Sequence, residues 1–241
     1  MGSFTVVLLL FLSLTGCNLT KSDNQQTTEQ TEKIENLTLL GPIAPVTFPM
    51  LHMVDEEQMS EIVEQSQIQI WRSPDQLRSQ VTSGKAHFTA LPTYVAANLY
   101  NKGVKLKMLN VSVWGHLYVI SVDSQVDDLE DLKGQKVVIP WKGDMPDLVF
   151  RFLAHEKGLD PEKDMEIQYV SSPMEAAQMM VAGKVKYAVL IEPAASSAIL
   201  QAKQKGVNLN RVIDMQKVWG EVTGRPSKIP FAGIAVLPPT L

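Results

Sequence analysis

Few residues in this chain are spaced for enzymatic chemistry. The four histidines, His52, His87, His116 and His155, are scattered, and none pairs with another at the spacing that holds a metal ion. G-x-S-x-G, S-x-x-K, H-E-x-x-H, G-x-x-x-x-G-K and G-x-G-x-x-G are all missing from the sequence. A single cysteine, Cys17, can form neither an intramolecular disulfide nor a cysteine-rich cluster. His155 follows a helix face and reads as solvated, whereas His52 and His116 each lie beside a loop of binding character. The residues therefore point to binding without catalysis, and they call for no cofactor or metal.

Cys17 is where covalent chemistry does have a setting. Phe4 to Leu14 is almost wholly apolar; at about eleven residues it falls short of the roughly 20 that cross a bilayer but suits a secretory h-region. The small residues Thr15 and Gly16 before Cys17 resemble a bacterial lipobox, in which the thiol takes a diacylglyceryl group and becomes the new N-terminus. Met1-Gly2-Ser3 departs from that pattern because it carries no basic residue. Residues 1–17 are thus expected to be a lipoprotein signal peptide. Residues 18–36 are rich in Gln, Thr, Asn, Ser, Lys and Glu and read as a disordered tether with a reach of roughly 25 Å.

The remaining chain is long enough for a large hydrophobic core, and 45% of the residues are hydrophobic. A net charge of -4 and a pI near 5.6 leave no basic footprint, so nucleic acid is not expected as a partner. Short apolar runs alternate with amphipathic stretches in a strand–loop–helix order. Strands are expected at Leu37–Leu40, Ile68–Trp71, Ala86–Leu91, Leu106–Val113 and His116–Val122, then at Lys136–Ile139, Glu166–Val170, Val185–Ile191 and Phe231–Leu237. Helices are expected from the cap at Ser73 to Gly84, over Pro92–Tyr100, from Asp144 to Gly158, from Ser172 to Gly183 and over Pro193–Lys205. This is an α/β pattern in two blocks. Ligands of such sheets sit at the carboxyl ends of strands, where helix N-termini converge.

Four pieces in order carry a resemblance: Ala90–Gly103, Ser112–Tyr118, Asp131-Leu132-Lys133-Gly134 and Ile191-Glu192-Pro193. Together they resemble the nitrate/sulfonate/bicarbonate substrate-binding lipoproteins of ABC importers (the NitT/TauT, NMT1/THI5-like group). The resemblance implies a type II periplasmic-binding-protein fold, with residues 37–118 and 231–241 as lobe 1 and residues 119–230 as lobe 2. It implies hinge strands near Tyr118–Val122 and Phe231–Val236. It also implies a monomer that takes a small polar solute and works with a permease and an ATPase at the extracytoplasmic face of the cell membrane.

Position by position, the resemblance puts Gly41, Pro42, Ile43, Pro92, Thr93, Ser112, Trp114, Lys142, Gly143, Asp144, Met145 and Glu192 at the interlobe cleft. The residue types agree with that placement: Gly41 and Gly143 let backbone approach a ligand, and the helix starting near Asp144 offers free N–H groups. Trp114 and Trp141 could wall off a solute or be ordinary partly buried aromatics, and Lys142 could face an anion or only solvent. Glu192 works against a bare anion; it could accept from a solute N–H or cap the next helix.

The chain closes on Pro238-Pro239-Thr240-Leu241 where the resembling proteins continue with helices over lobe 1, so it is expected to be truncated, with apolar surface left exposed there. Two other readings stand beside the importer component: a sensory or scaffold lipoprotein, and an enzyme on the same fold, such as a pyrimidine-precursor synthase or a menaquinone-pathway dehydratase. Those enzymes are cytoplasmic, and the pyrimidine synthases need a cysteine-rich iron motif that one cysteine cannot supply. Replacing the thiol tests the anchor: Cys17→Ala is expected to abolish palmitate labelling and membrane retention of the full chain, and labelling that persists would remove the lipoprotein reading.

Overall fold

Period-two alternation along the apolar runs builds two sheets. The computed structural model describes residues 33–55 and 59–238; the lipobox, Cys17 and most of the expected tether lie outside the described residues. The strands of the first sheet are β1 (Ile34–Gly41), β2 (Val63–Ile70), β3 (Phe88–Pro92), β4 (Lys107–Met108), β5 (Val113–Trp114) and β11 (Pro230–Val236). Their order is β2-β1-β3-β11-β4, with β5 also on β11. The second sheet has β6 (Leu117–Ser121), β7 (Lys136–Pro140), β8 (Glu166–Val170), β9 (Tyr187–Ile191) and β10 (Asn210–Asp214), in the order β10-β6-β9-β7-β8.

Within each sheet the βαβ units are parallel, and the strands that return across the molecule are antiparallel. β1 pairs β2 and β3 in parallel, as β7 does with β8 and β9. β11 runs antiparallel to β3, and β6 antiparallel to β9. Helices cover the faces: α1 (Phe48–Asp55), α2 (Pro74–Thr82) and α3 (Thr93–Asn101) in the first block, α4 (Met145–Glu156), α5 (Pro173–Val181), α6 (Ala194–Gln204) and α7 (Met215–Thr223) in the second. Among the described residues no helix is long and apolar enough to cross a membrane.

Alternation decides which core each side chain enters. In β7, Val137 and Ile139 join the central cluster with Phe150 and Leu153 of α4, while Val138 turns to the face packed by Ala176 and Met180 of α5. In β9, Tyr187, Val189 and Ile191 take the central side, and Ala188 and Leu190 the other. The first sheet follows the same rule: Leu37 and Leu39 of β1 face the central cluster, and Leu40 packs with Leu77 of α2 and Val95 of α3. Phe48, Leu51 and Met53 of α1 remain exposed.

Several elements differ from the sequence expectation. β1 starts at Ile34, inside the expected tether, because Ile34 and Asn36 have partners in Val63 and Gln65 of β2. The expected strand Leu106–Val113 is two short strands, β4 and β5, that bond to opposite ends of β11. α1, β10 and α7 are additions. α7 was hidden by Gly220, whose missing side chain leaves room for Ser227: an added Cβ would lie 2.4 Å from its Oγ.

The two sheets exchange chain at two places only a hydrogen bond apart. The outward passage is Gly115-His116, between β5 and β6, and the return is the stretch 224–229 between α7 and β11. Gly115 N–H donates to the Ile229 carbonyl at 2.9 Å. Further along β11, an added Cβ at Gly233 would sit 2.0 Å from the backbone oxygen of Asn110. Because backbone cannot yield as a flexible side chain can, Gly233→Ala is expected to lower stability by about 1–3 kcal/mol, read as a drop in the urea unfolding midpoint.

Candidate functional site

The carboxyl ends of six strands point at one cavity of about 360 Å³. From the first sheet come Pro42 and Ile43 after β1, Trp71 and Arg72 after β2, and Leu91 and Pro92 at the end of β3. The second sheet supplies Trp141, Asp144 and Met145 after β7, Ser172 and Met174 after β8, and Glu192 and Pro193 after β9. His116, at the outward crossing, and Phe231, on the return, close the wall. Strand–loop–helix junctions make this convergence automatic: each parallel strand delivers its loop to the same edge of its sheet.

Of the residues expected at the cleft, Pro42, Ile43, Pro92, Asp144, Met145 and Glu192 line the cavity, and Gly41, Thr93, Ser112, Trp114, Lys142 and Gly143 do not. Each of the second group is engaged or turned elsewhere. Gly41 makes room for Thr47, whose Oγ1 would lie 2.4 Å from an added Cβ. Thr93 Oγ1 donates to the Pro230 carbonyl at 2.6 Å. Ser112 is exposed and its N–H bonds to Ala232. The Trp114 indole, half exposed, donates to the Val111 carbonyl. Lys142 Nζ lies 5.2 Å from the centre of the Tyr169 ring, and Gly143 N–H donates to Asp147 Oδ2.

Sequence reasoning passed over the loop Trp71–Pro74 and the loop Ser172–Met174. Both are strand-to-helix junctions with a serine cap and a proline at the first helical position.

The two carboxylates on the wall, Asp144 and Glu192, are each paired with an arginine. Arg78 Nη2 of α2 meets Asp144 Oδ1 at 2.7 Å and also donates to the Tyr94 hydroxyl, so a side chain of the first block grips the start of α4 in the second. Asp144 is the N-cap of α4, yet its carboxylate makes no cap bond. Burial pushes the Asp144 carboxyl above its ordinary value, while the Arg78 guanidinium pulls the other way. Glu192 pairs with Arg211 at 2.5 Å and accepts from Ser196 N–H in the first turn of α6, so the capping role is the one it takes. Although burial works to raise it, the bonds from Arg211 and Ser196 hold the Glu192 carboxyl below the usual range.

His116 and Trp141 are the exceptional members of the wall. Among the described residues other than glycine, they alone have positive φ, 76° and 58°. Residues without glycine's freedom enter that region at a cost, and such strain collects at functional sites. Both also carry a buried nitrogen without a partner, His116 Nδ1 and Trp141 Nε1. The imidazole packs edge-on to Phe231, with ring centres 4.5 Å apart. Burial pushes its pKa down to about 4, against the backbone and carboxylate of Glu192, which favour the charged form. The ring is therefore neutral at pH 7. No group of acidic, histidine or cysteine side chains among the described residues is arranged to hold a metal ion.

Two α/β blocks closing on a shared cavity define a type II periplasmic-binding-protein fold. Solved structures with this fold include an ABC transporter protein from Parabacteroides distasonis (TM-score 0.63, 23% identity, 86% of this chain and 67% of that one). They also include the periplasmic aliphatic sulphonate binding protein SsuA from Escherichia coli (TM-score 0.63, 17% identity, 86% and 66%). The alkanesulfonate-binding protein SsuA from Xanthomonas axonopodis pv. citri, bound to MOPS, gives a TM-score of 0.60 at 13% identity over 86% and 67% of the two chains. The chain thus spans about two thirds of the length of these proteins, and at such identities the likeness is one of fold.

In sequence, the chain belongs to the menaquinone biosynthesis family, whose model matches residues 42–238. No curated protein matches it significantly. The resemblance to nitrate/sulfonate/bicarbonate binding proteins therefore holds at the level of the shared fold, and the family model that matches is the menaquinone biosynthesis one.

The depressed pKa of His116 makes stability depend on pH with a definite sign. Between 6.5 and about 4 the unfolded chain binds a proton that the native ring refuses, so stability is full above pH 6.5 and falls as the pH drops through that window. The carboxylates with lowered values act below their ordinary values of 3.8 and 4.5, and Asp144, which is raised, acts with the opposite sign. Asparagine tolerates positive φ and does not titrate. His116→Asn is expected to remove about 2 kcal/mol of the stability lost between pH 7 and pH 5, checked by urea unfolding of both proteins at the two pH values.

Proposed function

We propose that this chain is a solute-binding protein of the extracytoplasmic face, held to the membrane through Cys17, that captures a small molecule between two lobes and presents it to an ABC permease and its ATPase. The lobes are those drawn from the sequence, except that Leu117 and Tyr118 of β6 go with the second one, and the crossings at Gly115-His116 and 224–229 are where they turn. The observation that carries this reading is the cavity itself, walled by loops of both sheets, so that a solute touching both walls favours the closed arrangement. The fold shared with transport-associated binding proteins supports it.

Membership of the menaquinone biosynthesis family favours one second reading, an enzyme acting on a small molecule in the same cavity. Acid–base chemistry works best with a group whose pKa lies near the operating pH. His116 at about 4 is a weak proton acceptor at pH 7, and the Asp144 and Glu192 carboxylates are both engaged by arginines. Those facts weigh toward capture without conversion.

Native mass spectrometry of the full purified chain, before and after incubation with a metabolite extract of its host, separates the two. The expected outcome is a stoichiometric small molecule that is released unchanged on denaturation. A released molecule that differs from the one taken up would establish conversion, and a chain that takes up nothing would end both readings.

A further inference from the structure

Three buried side-chain nitrogen or oxygen atoms among the described residues have no hydrogen-bond partner: Gln80 Oε1, His116 Nδ1 and Trp141 Nε1. Gln80 lies on α2 and does not line the cavity, whereas His116 and Trp141 both do. The same two residues hold the only left-handed backbone outside glycine among the described residues. Two separate departures from ordinary structure therefore coincide twice on one wall. A buried donor or acceptor without a partner is costly, and so is left-handed backbone at a residue with a side chain. Unfavourable features of that kind collect at functional sites.

Neither residue is a loose end of the chain. Trp141 N–H donates to the Val170 carbonyl and the Trp141 carbonyl accepts from Asp144 N–H, both at 3.0 Å, while the His116 carbonyl accepts from Glu192 N–H at 3.2 Å. The main chain is pinned on either side, and it fixes both rings in the wall, the imidazole edge-on to Phe231. What is left unpaired is chemically definite. An indole N–H only donates, so Trp141 needs an acceptor. A neutral imidazole has one N–H and one bare nitrogen. The Glu192 backbone bonds the ring and favours its charged form, as a carbonyl facing a ring N–H does; this assigns the proton to Nε2 and leaves Nδ1 as an acceptor. His116 therefore needs a donor.

We infer that His116 Nδ1 and Trp141 Nε1 are polar anchors for the solute, which carries both a donor and an acceptor, as a hydroxyl or an amide does. The inference rests on the solute-binding reading and specifies its chemistry. Both nitrogens are screened from water as the walls stand, so a solute meets them as it enters between the parting blocks. Around them Trp71, Leu91, Met145 and Phe231 offer the rest of the molecule an apolar bed. In such surroundings a bond to either nitrogen forms with little competition from water, which makes it count toward selection.

Phenol, anisole and toluene test this on one skeleton, because the first donates and accepts, the second only accepts and the third does neither. Binding to the full purified chain carrying isotope-labelled nitrogen is followed by NMR of the indole N–H and the imidazole nitrogens, assigned by difference with Trp141→Phe and His116→Asn. Phenol is expected to bind about tenfold more tightly than anisole, and anisole about tenfold more tightly than toluene, each step being one hydrogen bond. Phenol should move both resonances and anisole that of Trp141 alone. Trp141→Phe keeps a ring but removes the donor, and it should bring anisole level with toluene. His116→Gly takes left-handed backbone without strain and removes the acceptor, so phenol should fall to the level of anisole. His116→Asn places an amide oxygen near the Nδ1 position and should restore most of that difference. Equal affinities for the three probes, or a preference for phenol over anisole that survives His116→Gly, overturns the inference and leaves the solute-binding reading standing. Resonances that none of the three moves overturn it as well, while a host metabolite captured in the mass-spectrometric test would still support that reading.

Discussion

Everything at this site hangs on the double crossing between the sheets. Two chain passages lie side by side, tied by the bond from Gly115 N–H to Ile229 O. For the outward strand to turn into the second sheet within two residues, both Gly115 and His116 adopt left-handed backbone, with φ of 94° and 76°. Glycine does this without strain; histidine does not. Gln216 fills the space that a side chain at Gly115 would need, and its Oε1 accepts the Leu117 N–H while its Nε2 donates to Asp214. The crossing is thereby locked from the second block, and the imidazole is driven against Phe231 and into the cavity wall.

That geometry sets the electrostatics. An imidazole forced into an apolar wall gives up its proton affinity, and a carboxylate at the start of α4 finds a guanidinium from the opposite block instead of its own helix N–H groups. The Arg78–Asp144 pair is a polar link between the blocks outside the crossings. It lies at the cavity rim, and only partly buried, where a pair has the flexibility to part if the blocks separate. The cavity between them is left largely apolar, with the exposed Arg72 and the unpartnered His116 Nδ1 and Trp141 Nε1 on its wall.

Members of one fold class can carry transport or catalysis, and the difference lies in the site. Here the sequence family is named for menaquinone biosynthesis while the shared fold includes sulphonate-binding proteins. The pairing of the carboxylates bears on both comparisons. It engages the Asp144 and Glu192 carboxylates with arginines, and Glu192 also accepts an N–H in the first turn of α6, while α3 and α4 begin without a capping side chain.

How much was legible in the sequence follows from the range of the interactions involved. Strand alternation, serine caps with proline behind them, and glycine stops are local, so β3, β7, β8, β9 and the helices after them could be read residue by residue. The α/β class and the convergence of loops such as Pro42-Ile43, Pro92 and Asp144-Met145 followed from that order. Elements held by distant partners could not be read: β4 and β5 exist because β11 offers them hydrogen bonds, and α7 carries a glycine for Ser227's sake. Whether Lys142, Trp114 or Glu192 met a ligand was likewise undecidable, because Tyr169, Val111 and Arg211 compete for them from elsewhere in the chain. Local sequence determined which elements form and which loops converge; tertiary structure alone decided which charges remain free, since a charge is neutralised by whatever the fold brings within a few ångströms of it.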